Sequence, residues 1–217
     1  MKPSSTASST RLSKLWTKSP NAMAIRPISP ADQQTLAEVL AKAFSKDPVM
    51  RWIILNDEDY QRIAVSYFGL VLHQSMPFRS NFTNEDKTGV ALWVGPNEYA
   101  SMFSQLLGSL KLLWLLKGNI SRAYRLQELM ASYRPQKDYL HLTILATHPE
   151  QQGSGVGADL IRPMLEQAKK LSLPVYLECS NQENLGFYRQ FGFRLIDNIS
   201  FKDGPTIWPM TLDHNLG

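Results

Sequence analysis

Gln151-Gln152-Gly153-Ser154-Gly155-Val156-Gly157 follows the apolar run Leu140 to Ala146 and precedes a helical pattern from Ala158 to Leu171. A strand that runs into alternating glycines and then a helix leaves backbone N–H groups pointing out of the helix start. Those orphan donors and the positive end of the helix dipole both favour an anion. Glycine suits such a loop because it reaches left-handed backbone angles and lets a ligand approach the main chain. The stretch therefore predicts a strand–loop–helix unit that binds a phosphate-bearing ligand at residues 152–157.

On the N-terminal side, Ala22 to Ile28 reads as a strand, and Pro30 to Phe44 as a helix entered through Ser29-Pro30. Val49 to Leu55 is a short apolar segment, and Glu58 to Gln74 a long helix. Asn81–Thr83 and Thr88–Val94 read as strands, with helices at 99–116 and Ser121–Tyr133 and a strand at Asp138–Ala146. Beyond the loop come strand Val175–Cys179, helix Gln182–Phe191, strand Phe193–Ser200 and strand Thr206–Leu212. The pattern is α/β with mixed strand directions.

Hydrophobic residues make up 43% and charged residues 19% of the 217 residues, the balance of a globular domain with its own core. The net charge of +4 sits in residues 1–20, where Lys2, Arg11, Lys14 and Lys18 meet no acid. The body is thus neutral, and no basic face for nucleic acid is expected. Residues 1–21 read as a disordered Ser/Thr-rich tail and 22–217 as one domain. An organelle transit peptide is the alternative for the tail, opposed by its single Arg. Cys179 is the sole cysteine, which excludes an intramolecular disulfide and fits a cytoplasmic protein. Met102 to Leu116 is apolar but shorter than the roughly twenty residues that span a bilayer. It reads as a buried helix or a homodimer surface, with no membrane partner.

Which phosphate ligand the loop takes follows from its neighbours. A nucleotide-hydrolysing P-loop needs Lys-Ser/Thr after the last glycine, where this chain has Ala158-Asp159. A dinucleotide site needs Gly-x-Gly-x-x-Gly, and the third glycine here is misplaced. The spacing Gln152-x-x-Gly155-x-Gly157, with Tyr188-x-x-x-Gly192-Phe193 and Asn181 further on, resembles the GNAT superfamily of N-acetyltransferases across most of residues 23–214. His148-Pro149-Glu150, Leu177-Glu178-Cys179, Asn184 to Tyr188 and Gly204 to Met210 resemble the branch that contains puromycin N-acetyltransferase.

The resemblance implies an α/β GNAT fold: a twisted, mixed, mostly antiparallel sheet flanked by helices, with splayed strands holding acetyl-CoA. It implies that Gln152, Gly153, Ser154, Gly155, Val156 and Gly157 bind the pyrophosphate, and that Leu145, Ala146 and Thr147 line the pantetheine arm and acetyl group. Asn181 and Asn184 are further contacts to CoA, each alternatively a helix cap. Tyr188, on the family's Tyr position, is the acid for the leaving thiolate, or else a core aromatic beside Phe187 and Phe191.

The base is open between two residues. By strict alternation Leu140, Leu142, Ile144 and Ala146 share one strand face, and His141, Thr143 and Leu145 the other. His141 belongs to the residue type best suited to accepting a proton, and Glu178 sits near the end of the adjacent strand. Each is alternatively a hydrogen-bonded structural group. Cys179 has no activating partner in the sequence and reads as packing. No metal ligand set is expected.

Phe44, Asp47, Trp52 and Tyr67 are candidates to contact a small-molecule amine, an aromatic wall with one acid suiting a hydrophobic acceptor; ordinary core packing is the alternative for each. The expected function is N-acetyl transfer from acetyl-CoA to a primary amine. Transfer of a longer acyl group, or CoA binding without catalysis, are the alternatives.

Overall fold

The computed structural model describes residues 24–78, 80–96, 98 and 120–214. The expected tail at 1–21 and the helix at 99–116 lie outside the described residues. The elements run β1 (Ile25–Pro27), α1 (Gln33–Ala43), α2 (Pro48–Ile53), α3 (Asp57–Ser75), β2 (Phe82–Asn84) and β3 (Gly89–Val94). They continue as α4 (Ile120–Ser132), β4 (Leu140–Thr147), α5 (Val156–Leu171), β5 (Val175–Cys179), α6 (Leu185–Gln190), β6 (Arg194–Leu195), β7 (Ile199–Ser200) and β8 (Thr206–Leu212).

The strands form one open sheet in the order β1-β2-β3-β4-β5-β8-β6, with β7 also pairing β8. All pairs are antiparallel except β4 with β5. Helices cover both faces. On one, Leu36 and Leu40 of α1 and Phe68 and Leu72 of α3 pack against Val90, Leu92 and Ala146. On the other, Val156, Leu160 and Met164 of α5 and Leu185 of α6 pack against Trp93, Leu142, Val175 and Leu177. Gly89 allows α5 this close, because a Cβ there would stand 2.5 Å from Val156 Cγ1.

Two expectations are revised, and one apolar segment takes a definite form. The apolar segment after Asp47-Pro48 is a helix, α2, because Pro48 starts it and the Asp47 carboxylate accepts from Val49 N (3.0 Å) and Met50 N (2.9 Å). The strand expected at 193–200 is broken into β6 and β7. Between them Asp197 Oδ1 accepts from Asn198 N at 2.7 Å, a local bond that competes with the ladder.

The strict alternation along β4 also fails. The β3–β4 register shifts between Leu92 and Trp93, so Leu92 faces Ile144 but Trp93 faces Leu142. Thr143 is the extra residue of this bulge, and its Oγ1 donates to Leu92 O at 3.1 Å, while Trp93 N donates to the Asn81 side chain at 2.8 Å. The bulge reverses the phase. Leu140, Leu142 and Leu145 pack on the α5 side, and Ile144 and Ala146 on the α1–α3 side.

Candidate active site

Parallel pairing of β4 with β5 covers only Leu140–Leu142 against Val175–Leu177. From Thr143 to Thr147, β4 keeps β3 on one side and, among the described residues, has no strand on the other. Glu178 and Cys179 pair only with β8. The two strands therefore part just past the middle of β4, leaving main-chain groups along Thr143–Thr147 free to bond an extended, amide-bearing ligand.

The glycine loop lies at the end of this gap. Gly153 (φ 79°) and Gly155 (φ 94°) adopt left-handed angles, and Gly155 caps α5. A Cβ at either would meet no protein atom within 4 Å, so conformation, not protein crowding, demands glycine there. The first main-chain bond of α5 runs from Asp159 N to Gly155 O at 3.0 Å. The N–H groups of Gly155, Val156, Gly157 and Ala158 thus have no partner among the described residues, at the positive end of a 16-residue helix. A Cβ at Gly157 would lie 3.6 Å from both Thr147 Oγ1 and Phe187 Cζ, so β4, α5 and α6 converge at that point.

Tyr188 of α6 is buried, its ring set edge-on to Phe187 (5.2 Å) and Phe193 (5.9 Å). Its hydroxyl has no hydrogen-bond partner among the described residues, and burial, with Cys179 nearby, pushes the phenol above the ordinary tyrosine range. The group stays a proton donor through neutral pH. Asn181 accepts from Glu183 N (3.0 Å) and so caps the turn ahead of α6, whereas the exposed Asn184 makes no side-chain capping bond. Burial raises the Cys179 thiol to about 11, and the thiol donates to Asn181 O at 3.1 Å. Both facts suit a packing residue and not a nucleophile.

The two candidates for the base form one unit. His141 Nε2 and Glu178 Oε2 lie 2.6 Å apart, both side chains buried on the α1–α3 side of the sheet. A carboxylate only accepts, so Nε2 donates and the neutral ring keeps its lone pair on Nδ1. The parallel register that sets His141 beside Tyr176 puts Tyr139, His141 and Tyr176 in mutual ring contact at 5.4 to 6.0 Å. Arg134 Nε stands 3.7 Å from Glu178 Oε1 on the other side. Sequence reasoning missed Arg134 and Tyr176. Tyr176-x-Glu178 shares the period of Tyr139-x-His141, but only the strand register shows that the two pairs meet.

Of the four acceptor candidates, Tyr67 lines a cavity formed among the described residues. This space of about 240 Å³ is bounded by Met50 and Ile53 of α2, Tyr67 of α3, Leu126 and Met130 of α4, and Arg134. Phe44 stacks on Phe68 at 5.3 Å. Trp52 donates to Asp203 O at 2.7 Å and packs on Phe201, tying α2 to the β7–β8 loop. The Asp47 carboxylate is occupied by Val49 N, Met50 N and the Ser180 hydroxyl, and burial raises its pKa above the usual carboxylate value.

Residues 119–214, which include the loop, the parted strands and the His141–Glu178 pair, match the family model described as an acetyltransferase (GNAT) domain. The chain carries a GNAT acetyltransferase domain. It is 25% identical over 185 residues to an uncharacterized N-acetyltransferase of Schizosaccharomyces pombe, covering 79% of this chain and 74% of that protein. Its fold is shared by a histone acetyltransferase and related acetyltransferase of Corynebacterium glutamicum (TM-score 0.63, 21% identity, 88% of this chain and 95% of that one). Arylalkylamine N-acetyltransferase 2 of Aedes aegypti has it too (TM-score 0.61, 13% identity, 90% of this chain and 100% of that one). The protein is thus an enzyme of the GNAT acetyltransferase type, and the sheet with its parted strands is the GNAT fold. Among the described residues, no group of three or more His, Cys, Asp or Glu is placed to hold a metal, and no helix is long and apolar enough to cross a membrane.

Proposed function

We propose that this GNAT enzyme transfers the acetyl group of acetyl-CoA to the primary amine of a small molecule by direct attack. The observation that carries the reading is the parting of β4 from β5 beyond Leu142 and Leu177, with the glycine loop at one end and His141–Glu178 at its mouth. The free N–H groups of residues 155–158, with the rest of Gln152–Gly157, fit a pyrophosphate. The unpaired edge at Leu145, Ala146 and Thr147 fits the amides of a pantetheine arm. Asn184, exposed at the start of α6, is a further contact.

The thioester supplies an activated acyl carbon. Held against it, the amine nitrogen forms the new C–N bond as the C–S bond breaks. His141 takes the proton that the attacking nitrogen loses, with Glu178 stabilising the imidazolium. Tyr188 gives its hydroxyl proton to the leaving sulfur. Acetyl fits better than a longer acyl group, because Leu145 packs into the core and Phe187 closes on Gly157. The expected setting is the cytoplasm, with residues 22–217 as the folded unit and no nucleic-acid or membrane partner.

The test is calorimetric titration with CoA, followed by mass spectrometry of an amine mixture incubated with acetyl-CoA. CoA binding with N-acetylated product is expected. CoA binding without any acetylated amine would leave the catalytic reading wrong, and no CoA binding would remove the loop assignment.

A further inference from the structure

The cavity between α2, α3 and α4 belongs to no part of the donor site. Met50, Ile53, Leu126 and Met130 give it apolar walls, and Tyr67, Gln127 and Arg134 its polar points. Among the described residues that line it, Arg134 is the only charged one. Two acids bear on this lining, and neither is part of it. Asp47, whose charge is felt at Tyr67, accepts from Val49 N, Met50 N and the Ser180 hydroxyl, and Glu178 is bonded to His141. Burial raises the Tyr67 phenol above the ordinary tyrosine range, so it stays a neutral donor. The cavity therefore offers hydrocarbon, hydrogen-bond donors and one positive charge. Such a lining takes an apolar body and a carboxylate, and gives an ammonium no free acid.

Arg134 also connects the cavity to the chemistry. Its Nε stands 3.7 Å from Glu178 Oε1, and Glu178 Oε2 lies 2.6 Å from His141 Nε2. That ion pair engages Nε. The terminal amino groups of the guanidinium make no hydrogen bond to the described residues, and a ligand carboxylate can take their N–H groups in parallel. An acceptor anchored on Arg134 by a carboxylate thus has its next atoms beside the His141–Glu178 pair. An α-amino acid meets all three neighbours from one carbon. Its side chain enters the apolar cavity, its carboxylate meets Arg134, and its nitrogen turns toward His141.

Resting on the acetyltransferase reading above, we propose that the acceptor is a free α-amino acid with an apolar side chain, and that Arg134 recognises its carboxylate. The neutral α-nitrogen takes the acetyl group from sulfur and gives up a proton to His141, and the carboxylate is left unchanged. At about 240 Å³ the space lies below the roughly 300–1,000 Å³ of drug-sized sites, in keeping with one amino-acid side chain.

Leucine, methionine and phenylalanine, each set against its own amide, test this, because the amide keeps the body and the amine and lacks the carboxylate. The α-amine of an amide is the less basic of the two, so reactivity alone favours the amide. With acetyl-CoA saturating, kcat/KM for the best amino acid should nonetheless exceed that for its amide by about tenfold or more. Arg134→Gln should erase that preference, whereas a merely structural role would lower both rates alike and keep the ratio. Met130→Trp, which fills the cavity, should raise the KM for the amino acid while CoA affinity stays the same. An equal or higher rate for the amides, which resemble a peptide N-terminus, overturns the proposal. So does a ratio untouched in Arg134→Gln, or a KM that Met130→Trp leaves unchanged. Should no amino acid or amide be acetylated, calorimetry with the three amino acids decides. Binding that Arg134→Gln and Met130→Trp both weaken upholds the pocket and removes the acetyl-transfer reading, while no binding overturns the pocket itself.

Discussion

On the α5–α6 side of the sheet, the proposed donor site draws on residues 145–157 in one continuous stretch, closed over by Phe187 and Tyr188. On the opposite side, the cavity draws on α2, α3, α4 and Arg134, and each contributes only one or a few side chains. The donor side works through backbone conformation and free N–H groups, which a short run of glycines dictates locally. The cavity side is built from side-chain shape and charge, which only the packed helices bring together. A fixed cosubstrate calls for the first kind of construction, and a selective pocket for the second. His141 and Glu178 stand where the two meet.

Breaking the donor side should have the largest effect. Gly155→Val puts a β-branched residue at φ 94°, a region such residues hardly ever occupy. Affinity for acetyl-CoA should fall about a hundredfold, or ~2.8 kcal/mol, by calorimetry. Unchanged affinity would detach the loop from the phosphate. Next comes Tyr188→Phe, where kcat should drop roughly 10²-fold while CoA affinity holds, because the ring contacts with Phe187 and Phe193 survive. The phenol must be protonated to act, and burial raises its pKa. The alkaline fall of wild-type kcat attributable to it should therefore lie above the ordinary tyrosine value of about 10; a limb below that value would assign the acid role elsewhere.

Asp47 sharpens the contrast, since it caps α2 on the cavity side and also accepts from Ser180 just beyond β5. Asp47→Ala should cost about 1–2 kcal/mol in urea denaturation, and Asp47→Asn should restore most of it, because Asn caps nearly as well. Equal losses in the two variants would show that the charge, not the cap, matters. The smallest effect is expected at Cys179. With its thiol pushed up to about 11 and its side chain buried, it should resist maleimide at neutral pH without loss of activity. Rapid inactivation would contradict its packing role.

The strand, glycine loop and helix at 140–171 were legible in the sequence because their determinants are local. Positive φ at residues 153 and 155 requires glycine, and the strand before and helix after the loop carry clear periodicities. Legibility stopped where geometry departs from a regular period. Thr143 enters β4 as a bulge and reverses the inward and outward sense of Ile144, Leu145 and Ala146, which alternation alone put on the wrong faces. Among the acceptor candidates, aromatic identity marked Phe44, Trp52 and Tyr67 alike, yet only Tyr67 reaches the cavity, because stacking on Phe68 and a bond to Asp203 O commit the other two. Arg134 and Tyr176 belong to no motif. Their relevance comes from the register that sets β5 beside β4, a tertiary fact.

The central claim is that His141 and Glu178 act as one proton-accepting unit between the two sides. A double-mutant cycle tests it most directly, with single-turnover acetyl transfer measured for His141→Ala, Glu178→Gln and the double variant. Each single change should slow transfer by about 10²–10³-fold, and the double should be no slower than the worse single. Losses that multiply, or a His141→Ala enzyme that keeps its full rate, would contradict it.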